Sequence, residues 1–257
     1  TKIHSASGSL NRNGIMSIRP FRSPHQGISS VALAGGGSIP QAGEISLAHH
    51  GVLFLDELPE FKRDALESLR QPLEDGMIRI ARAKKSLTFP AAFMLVAAMN
   101  PCPCGYYGHS RKACHCNTTK IQSYIGKISG PLLDRIDIHI ELAEIKYKEL
   151  SETKDAESSE TIKTRIEKAR TIQNERFKSE GIFHNSQMNT KLIKKYCLLE
   201  NKAQELLKLA MTELKLSARA YDKILKISRT IADLVESDNI KTEHLSEAIQ
   251  YRNLDKL

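Results

Sequence analysis

No apolar run in this 257-residue chain approaches the roughly 20 residues needed to cross a bilayer, so no membrane-spanning helix is expected. The opening residues, TKIHSASGSLNRNG, lack the apolar core of a secretory signal, which makes the cytoplasm the expected compartment. No stretch repeats at a period of 20 to 50 residues, which argues against solenoid and propeller arrays. GxxxxGK followed by Ser or Thr occurs nowhere, and the glycine cluster at 35–37 has no such continuation. The chain therefore carries no P-loop, the motif that wraps phosphates with backbone N–H groups and supplies a lysine. Cysteines are few, five in all, yet Cys102, Cys104, Cys114 and Cys116 lie close together. In a reducing compartment such a cluster points to a metal before disulfides. Cys197 stands apart in a helical pattern and is expected to be a small core residue. The formal net charge of +8 favours polyanionic partners, but fits a lysine-rich solvated surface equally well.

The character of the chain changes near residue 150. Before it, short apolar runs alternate with helical stretches and Gly/Pro loops. The best strands are 51–55 and 93–98, both nearly continuous apolar runs, as in central parallel strands covered on both faces. Between them, 62–73 places Ala65, Leu66, Leu69 and Leu73 at helical spacing. Met77–Arg82 and 86–89 flank a basic turn of Ala83, Lys84 and Lys85 and predict an inserted β-hairpin. A third strand is predicted over 136–142, where Ile136, Ile138, Ile140 and Leu142 alternate with polar residues. The segment 151–160, acidic and serine-rich, reads as a linker or helix lead-in. After it, helices are expected at about 160–178, 190–197, 200–214, 217–236 and 242–251. The first of these carries Ile162, Ile166, Ala169 and Ile172 on one face, and Ser217 and Thr242 are suitable N-caps. The expected division is an α/β domain over 1–150 and an all-α domain over 151–257.

The stretch GVLFLDELPEF ends a buried strand on two acids, Asp56 and Glu57. A carboxylate at the C-terminal end of a parallel strand stands where open α/β sheets bind ligands. Asp56 there can hold magnesium, directly or through water. Glu57 can polarise a water for in-line attack on a γ-phosphate. The pair by itself fits an exposed acidic turn equally well. Asn100 ends the second strand in the equivalent place, where an amide can position that water; it also fits a turn before Pro101. Arg135, in GPLLDRIDIHIEL, offers a permanent charge and a two-pronged hydrogen-bond donor for phosphate. It fits a local pair with Asp134 or Asp137 too. Arg219 opens a helix in LSARAYDKIL, as a ligand-facing or a solvated side chain.

Strand–DE, strand–N, LLDR before a strand and a helical lid with SAR, in that order, resemble an AAA+ ATPase. The runs QAGEISLAHHGVLFLDELPEF, MNPCPCGYYG and GPLLDRIDIHIEL resemble the magnesium-chelatase-like branch, and within it the YifB/ComM family. The resemblance covers nearly the whole chain. It implies a partial AAA+ parallel-sheet core followed by an all-α lid. It assigns Asp56 and Glu57 to Walker B, Asn100 to sensor 1, Arg135 to the arginine finger acting on a neighbouring subunit, and Arg219 to sensor 2. The hairpin around Lys84 and Lys85 corresponds to the insertion before sensor 1, and the Gly-rich 22–43 to a helix-2 insertion facing a ring pore. ATP and Mg2+ are the implied cofactors, and a ring, usually a hexamer, the implied assembly. DNA is the implied partner, single-stranded or branched, with a helicase-type branch-migration activity. Arg79, Arg82, Lys84 and Lys85, together with Arg19 and Arg22, are the candidate DNA contacts, or else a solvated edge. The family's P-loop precedes the residues matching 1–9, so the expectation is a C-terminal fragment with little ATPase activity of its own. A chelatase motor driving metal into a tetrapyrrole, and an inactive binding or assembly module, are the alternatives.

In CPCGYYGHSRKACHC, two Cys-x-Cys pairs lie nine residues apart. Four thiolates can close a tetrahedral zinc site, and ligand count favours this over four reduced cysteines in a mobile loop. The one-residue spacing is tighter than the usual knuckle, which leaves His109 and His115 as substitute ligands. No additional acid lies in the cluster, so a structural site is expected rather than hydrolytic zinc.

Overall fold

In a computed structural model, residues 1–8, 10, 14–82, 85–142 and 156–252 are described, with backbone alone at 81, 82 and 85. The chain forms two compact units, Thr1–Ile136 and Asp137–Leu257. The strands of the first unit are β1 (Phe21–Arg22), β2 (Gly35–Gly36), β3 (Gln41–Ala42), β4 (Val52–Leu55), β5 (Met77–Arg82), β6 (Lys85–Pro90) and β7 (Met94–Ala97). Its helices are α1 (Lys2–Ala6), α2 (Ser30–Ala34), α3 (Glu44–Leu47), α4 (Arg63–Glu67), α5 (Arg70–Asp75), α6 (Thr118–Ile125) and α7 (Gly130–Leu133).

A three-stranded parallel sheet in the order β1–β4–β7 organises this unit. Leu53 and Leu55 point from β4 into a core with Leu33, Ile45, Leu58, Phe61, Ala65, Leu66 and Leu69. The opposite face differs from expectation. Phe21 is 64% and Met94 61% exposed, and Val52 and Phe54 are only half-buried. Continuous apolar strands predict cover on both faces; among the described residues only one face has it.

The helix predicted over 62–73 is two helices, α4 and α5, broken at Ser68 and Leu69. Pro72 lacks the N–H that would bond the Ser68 carbonyl, and the Ser68 hydroxyl instead donates to the Ala65 carbonyl at 2.6 Å. The inserted hairpin is present, with β5 and β6 antiparallel from Met77↔Pro90 to Arg82↔Lys85. Its turn residues Ala83 and Lys84 lie outside the described residues. A second ribbon, β2–β3, depends on glycine. A Cβ on Gly43 would stand 2.3 Å from the Gly35 nitrogen, and Gly35 itself has φ +103°.

The third strand predicted over 136–142 is not formed. The segment is irregular, with Ile138, Ile140 and Leu142 exposed and His139 buried, its N–H donating to the Tyr251 carbonyl at 2.8 Å. Alternation marks a segment that can pair, but it cannot supply a neighbour. No strand among the described residues lies beside this one.

The second unit is helical: α8 (Ser159–Arg176), α9 (Thr190–Tyr196), α10 (Asn201–Glu213), α11 (Ala218–Leu234) and α12 (Thr242–Gln250). Each lies within two residues of its predicted bounds. Ser217 caps α11, its hydroxyl accepting from the Ala220 N–H at 3.2 Å. Thr242 is instead the first residue of α12, and Lys241 occupies the cap position. Cys197 is buried in this core with Phe177, Leu207, Ile224 and Leu245. On α8, Ala169 is buried, but Ile162 and Ile166 are exposed.

One buried ionic cluster ties α8 to α11. Asp233, fully buried, accepts from both Arg176 and Arg229, and from the Asn185 amide at 2.7 Å. Arg229 is itself buried and also donates to the Asp238 carbonyl at 2.7 Å. Removing the carboxylate would strand two guanidinium groups in the core. Asp233→Ala is therefore expected to cost roughly 3–5 kcal/mol in urea denaturation of the chain. A loss below about 1 kcal/mol would show that the cluster is not structural.

Candidate functional site

Parallel pairing carries both predicted site strands to the same end of the sheet. Beyond Leu55↔Ala97, the Ala98 N–H donates to the Leu55 carbonyl at 3.0 Å and the Leu58 N–H to the Ala98 carbonyl at 2.9 Å. Asp56 and Glu57 leave β4 opposite the segment that leads from Ala98 to Asn100. All three candidate side chains are solvent-exposed. Glu57 adopts a left-handed conformation, φ +53° and ψ 48°, and its N–H donates to the Asp56 carboxylate at 2.9 Å. A non-glycine residue held there signals a backbone that its surroundings dictate. Buried Leu58 and Pro59, in the short helix that follows, supply that constraint.

Sequence reasoning missed Tyr124. It is buried in α6 near this site, and its hydroxyl is shifted upward by burial and by the charges of Glu60 and Glu57, against a backbone hydrogen bond at Asn100. Its only signal in the sequence is an aromatic in a short helix, which says nothing of what it faces.

The cysteine loop begins directly after Asn100 and folds back on it. A Cβ placed on Gly105 would lie 3.9 Å from the Asn100 side chain. Sγ atoms of Cys102, Cys104, Cys114 and Cys116 all lie within 4.8 Å of one another. The separations Cys102–Cys104, Cys102–Cys114 and Cys104–Cys114 are 3.4, 3.7 and 3.6 Å. Zn–S bonds of about 2.3 Å set tetrahedral sulfurs about 3.8 Å apart, so the donor set fits a zinc ion. Each tight pair supplies two of the four clustered sulfurs. His109 Nδ1 accepts from the N–H groups of Arg111 and Lys112, at 3.0 and 3.1 Å. Backbone donors reach the sulfurs as well: Tyr107 N–H to Cys102 at 3.3 Å and Cys116 N–H to Cys114 at 3.4 Å. The Tyr106 N–H and the neighbouring thiols bring Cys104 down to about 6, against its burial. The Cys116 N–H favours the Cys114 thiolate too, but burial and the neighbouring sulfurs outweigh it and push Cys114 up to about 12. Such splitting is what crowded thiols show when they must share negative charge.

Arg135 is largely buried, paired with Glu74 of α5 and donating to the Pro131 carbonyl at 2.6 Å. Of the neighbouring acids, Asp137 pairs with Lys223 at 2.8 Å. Glu74 is distant in sequence, and nothing in the pattern identified it. Arg219 is exposed in the first turn of α11, in the second unit.

Of the candidate DNA contacts, Arg22 is committed to Glu44 through bonds of 2.5 and 2.6 Å, and that hydrogen bonding raises its pKa further. Arg19 reaches the His50 carbonyl at 3.5 Å. Arg79 is exposed on β5. Arg82 and Lys85 are the last paired residues of the hairpin, and Lys84 lies outside the described residues. No helix among the described residues is long and apolar enough to cross a membrane.

Comparison with known proteins supplies the context. A family model described as "Magnesium chelatase, subunit ChlI" matches residues 1–150, and one for the ChlI C-terminal region matches 156–252. The competence protein ComM of Haemophilus influenzae is 48% identical over 93% of this chain and 46% of its own length. The YifB protein of Escherichia coli K12 is 46% identical over the same shares, and a Mycobacterium bovis protein is 36% identical over 98% of this chain and 50% of its own. The chain thus spans about half the length of the curated relatives it matches. With a parallel sheet that ends in Asp56 and Glu57, a hairpin inserted before β7 and a helical second unit, the chain belongs to the magnesium-chelatase-like AAA+ family, among the relatives of YifB and ComM.

Proposed function

We propose that this chain is the acid-bearing and lid-bearing part of an ATP-driven ring motor that acts on DNA. The observation that carries the reading is the juxtaposition of exposed Asp56 and Glu57 at the carboxyl end of β4 with the segment reaching Asn100 at the end of β7. Asp56 would hold the magnesium of bound ATP, which neutralises charge on the phosphates. Glu57, splayed from Asp56 by its left-handed backbone, orients and polarises the attacking water. Asn100 fixes that water from the neighbouring strand. Arg135 acts on the nucleotide of an adjacent subunit once ring assembly draws it from Glu74, and Arg219 supplies the lid's contact. The relatives are about twice as long, which leaves room for a phosphate loop outside these 257 residues. Their ComM member is named for competence, and this favours DNA as the motor's track. A chelatase motor is the alternative that the family description keeps in view. Salt-sensitive binding to forked or single-stranded DNA separates the two.

Alone, the chain is expected to bind ATP weakly or not at all and to hydrolyse little of it; micromolar binding by calorimetry would sink this. In the full-length protein, Glu57→Gln is expected to keep nucleotide binding and lower turnover roughly 100-fold or more. Unchanged turnover would remove Glu57 from its role.

The cysteine cluster, in this reading, is a structural zinc site that fixes the loop against Asn100. Gently purified protein is expected to contain about one zinc per chain, and Cys114→Ser to lose most of it. Metal analysis near zero for the unaltered protein would refute the site.

A further inference from the structure

The positive charge of this protein is not spread along it. Residues 76–133 contain no aspartate or glutamate, yet hold Arg79, Arg82, Lys84, Lys85, Arg111, Lys112, Lys120 and Lys127. These eight cations equal the whole formal net charge of +8; the rest of the chain balances 30 basic residues against 30 acidic ones. Half of the group lies in the hairpin region. Two of the others, Arg111 and Lys112, belong to the loop between the two cysteine pairs, and both are exposed.

That loop is built to present what it carries. Tyr107 is 58% exposed, although its N–H is bound to the Cys102 sulfur at 3.3 Å. Its backbone is therefore anchored to the cluster while its ring stands in solvent. Gly105 and Gly108, at φ +81° and +79°, make the turns on either side of the tyrosine pair. Tyr106 is half-buried, its ring edge-on to His109 with centroids 5.5 Å apart. The Lys112 ammonium rests 4.9 Å above the Tyr106 ring. His109 in turn accepts the N–H groups of Arg111 and Lys112. The exposed Tyr107 ring, Arg111 and Lys112, whose ammonium lies along Tyr106, thus share a loop flanked at both ends by the cysteines and braced in the middle by His109. A braced loop has little conformational freedom left to lose on binding.

We propose that the loop at 105–113 is a contact for single-stranded nucleic acid, with Tyr107 stacking on a base and Arg111 and Lys112 meeting phosphates. Aromatic platforms beside cations are how single strands are held without sequence readout. An acid-free segment favours a polyanion over a protein partner, whose mixed surface would need both signs of charge. The inference rests on the DNA-motor reading above and adds a second contact element to its hairpin.

The test is fluorescence anisotropy of a labelled oligothymidylate with the full chain. Tyr107→Ala is expected to weaken binding about 5- to 100-fold, and Tyr107→Phe to restore it, since stacking needs the ring and not the hydroxyl. Replacing both Arg111 and Lys112 by Ala is expected to lower the slope of log affinity against log salt by about 1.4. A photocrosslink from a 5-bromouracil strand should map to Tyr107, a readout that does not depend on how well a variant folds. Variants that bind like the unaltered chain, or crosslinks that map only elsewhere, would overturn the loop contact and leave the motor reading standing. No binding by the unaltered chain would overturn both.

Discussion

The parallel pairing of β4 with β7 is the constraint on which the site depends. It is set by Leu53 and Leu55, which are buried on one face and fix the register with Leu95 and Ala97. Because side chains alternate along a strand, a slip of one residue would turn both leucines out of the core. The same register extends through the Leu55, Ala98 and Leu58 backbone bonds and so determines where Asp56, Glu57 and Asn100 emerge. Hydrophobic burial on one side of the sheet thereby positions charge at its end. The left-handed Glu57 is the local consequence: the chain must turn sharply to bring Leu58 and Pro59 back into the core.

The two ends of β7 lead to different kinds of order. Before it lies a hairpin held by backbone pairing and by Ile78 and Ile80, which pack on the core. After it lies a loop whose shape depends on four sulfurs. Thiolates so close together repel unless a cation or a proton lies between them, and the opposite shifts of Cys104 and Cys114 express that conflict. A metal ion held by the four sulfurs would resolve it by charge, and Gly105, at φ +81°, makes a turn of the loop beside Asn100. Both elements belong to the acid-free, basic part of the chain, so the protein concentrates its positive charge on the appendages of the sheet.

Ionic groups have structural work here as well. Arg22 with Glu44 and Arg135 with Glu74 are cations that the sequence offered as ligand contacts and that the fold pairs with acids distant in the chain. Asp233 with Arg176 and Arg229 joins helices within the second unit. The pairings differ in what they allow. Asp233 is fully buried and can exchange partners only by opening the core, whereas Glu74 is accessible to water on one side of its pair with the largely buried Arg135.

Local pattern alone was enough for the helices of the second unit, the hairpin, β4 and β7, because each depends on contacts between residues near in sequence or on a period of burial. The acidic pair, Asn100 and the four cysteines were legible for the same reason: each is a short motif. What tertiary structure decided was everything requiring a distant partner. The alternation of Ile138, Ile140 and Leu142 could not reveal whether a neighbouring strand exists, and none pairs with it among the described residues. Pro72 broke a helix that apolar spacing drew as continuous. Glu44, Glu74 and Tyr124 gave no sign of what they face, since a side chain's partner is set by how the chain closes on itself. Motif chemistry lies in sequence; pairing, burial and access arise only when remote segments meet.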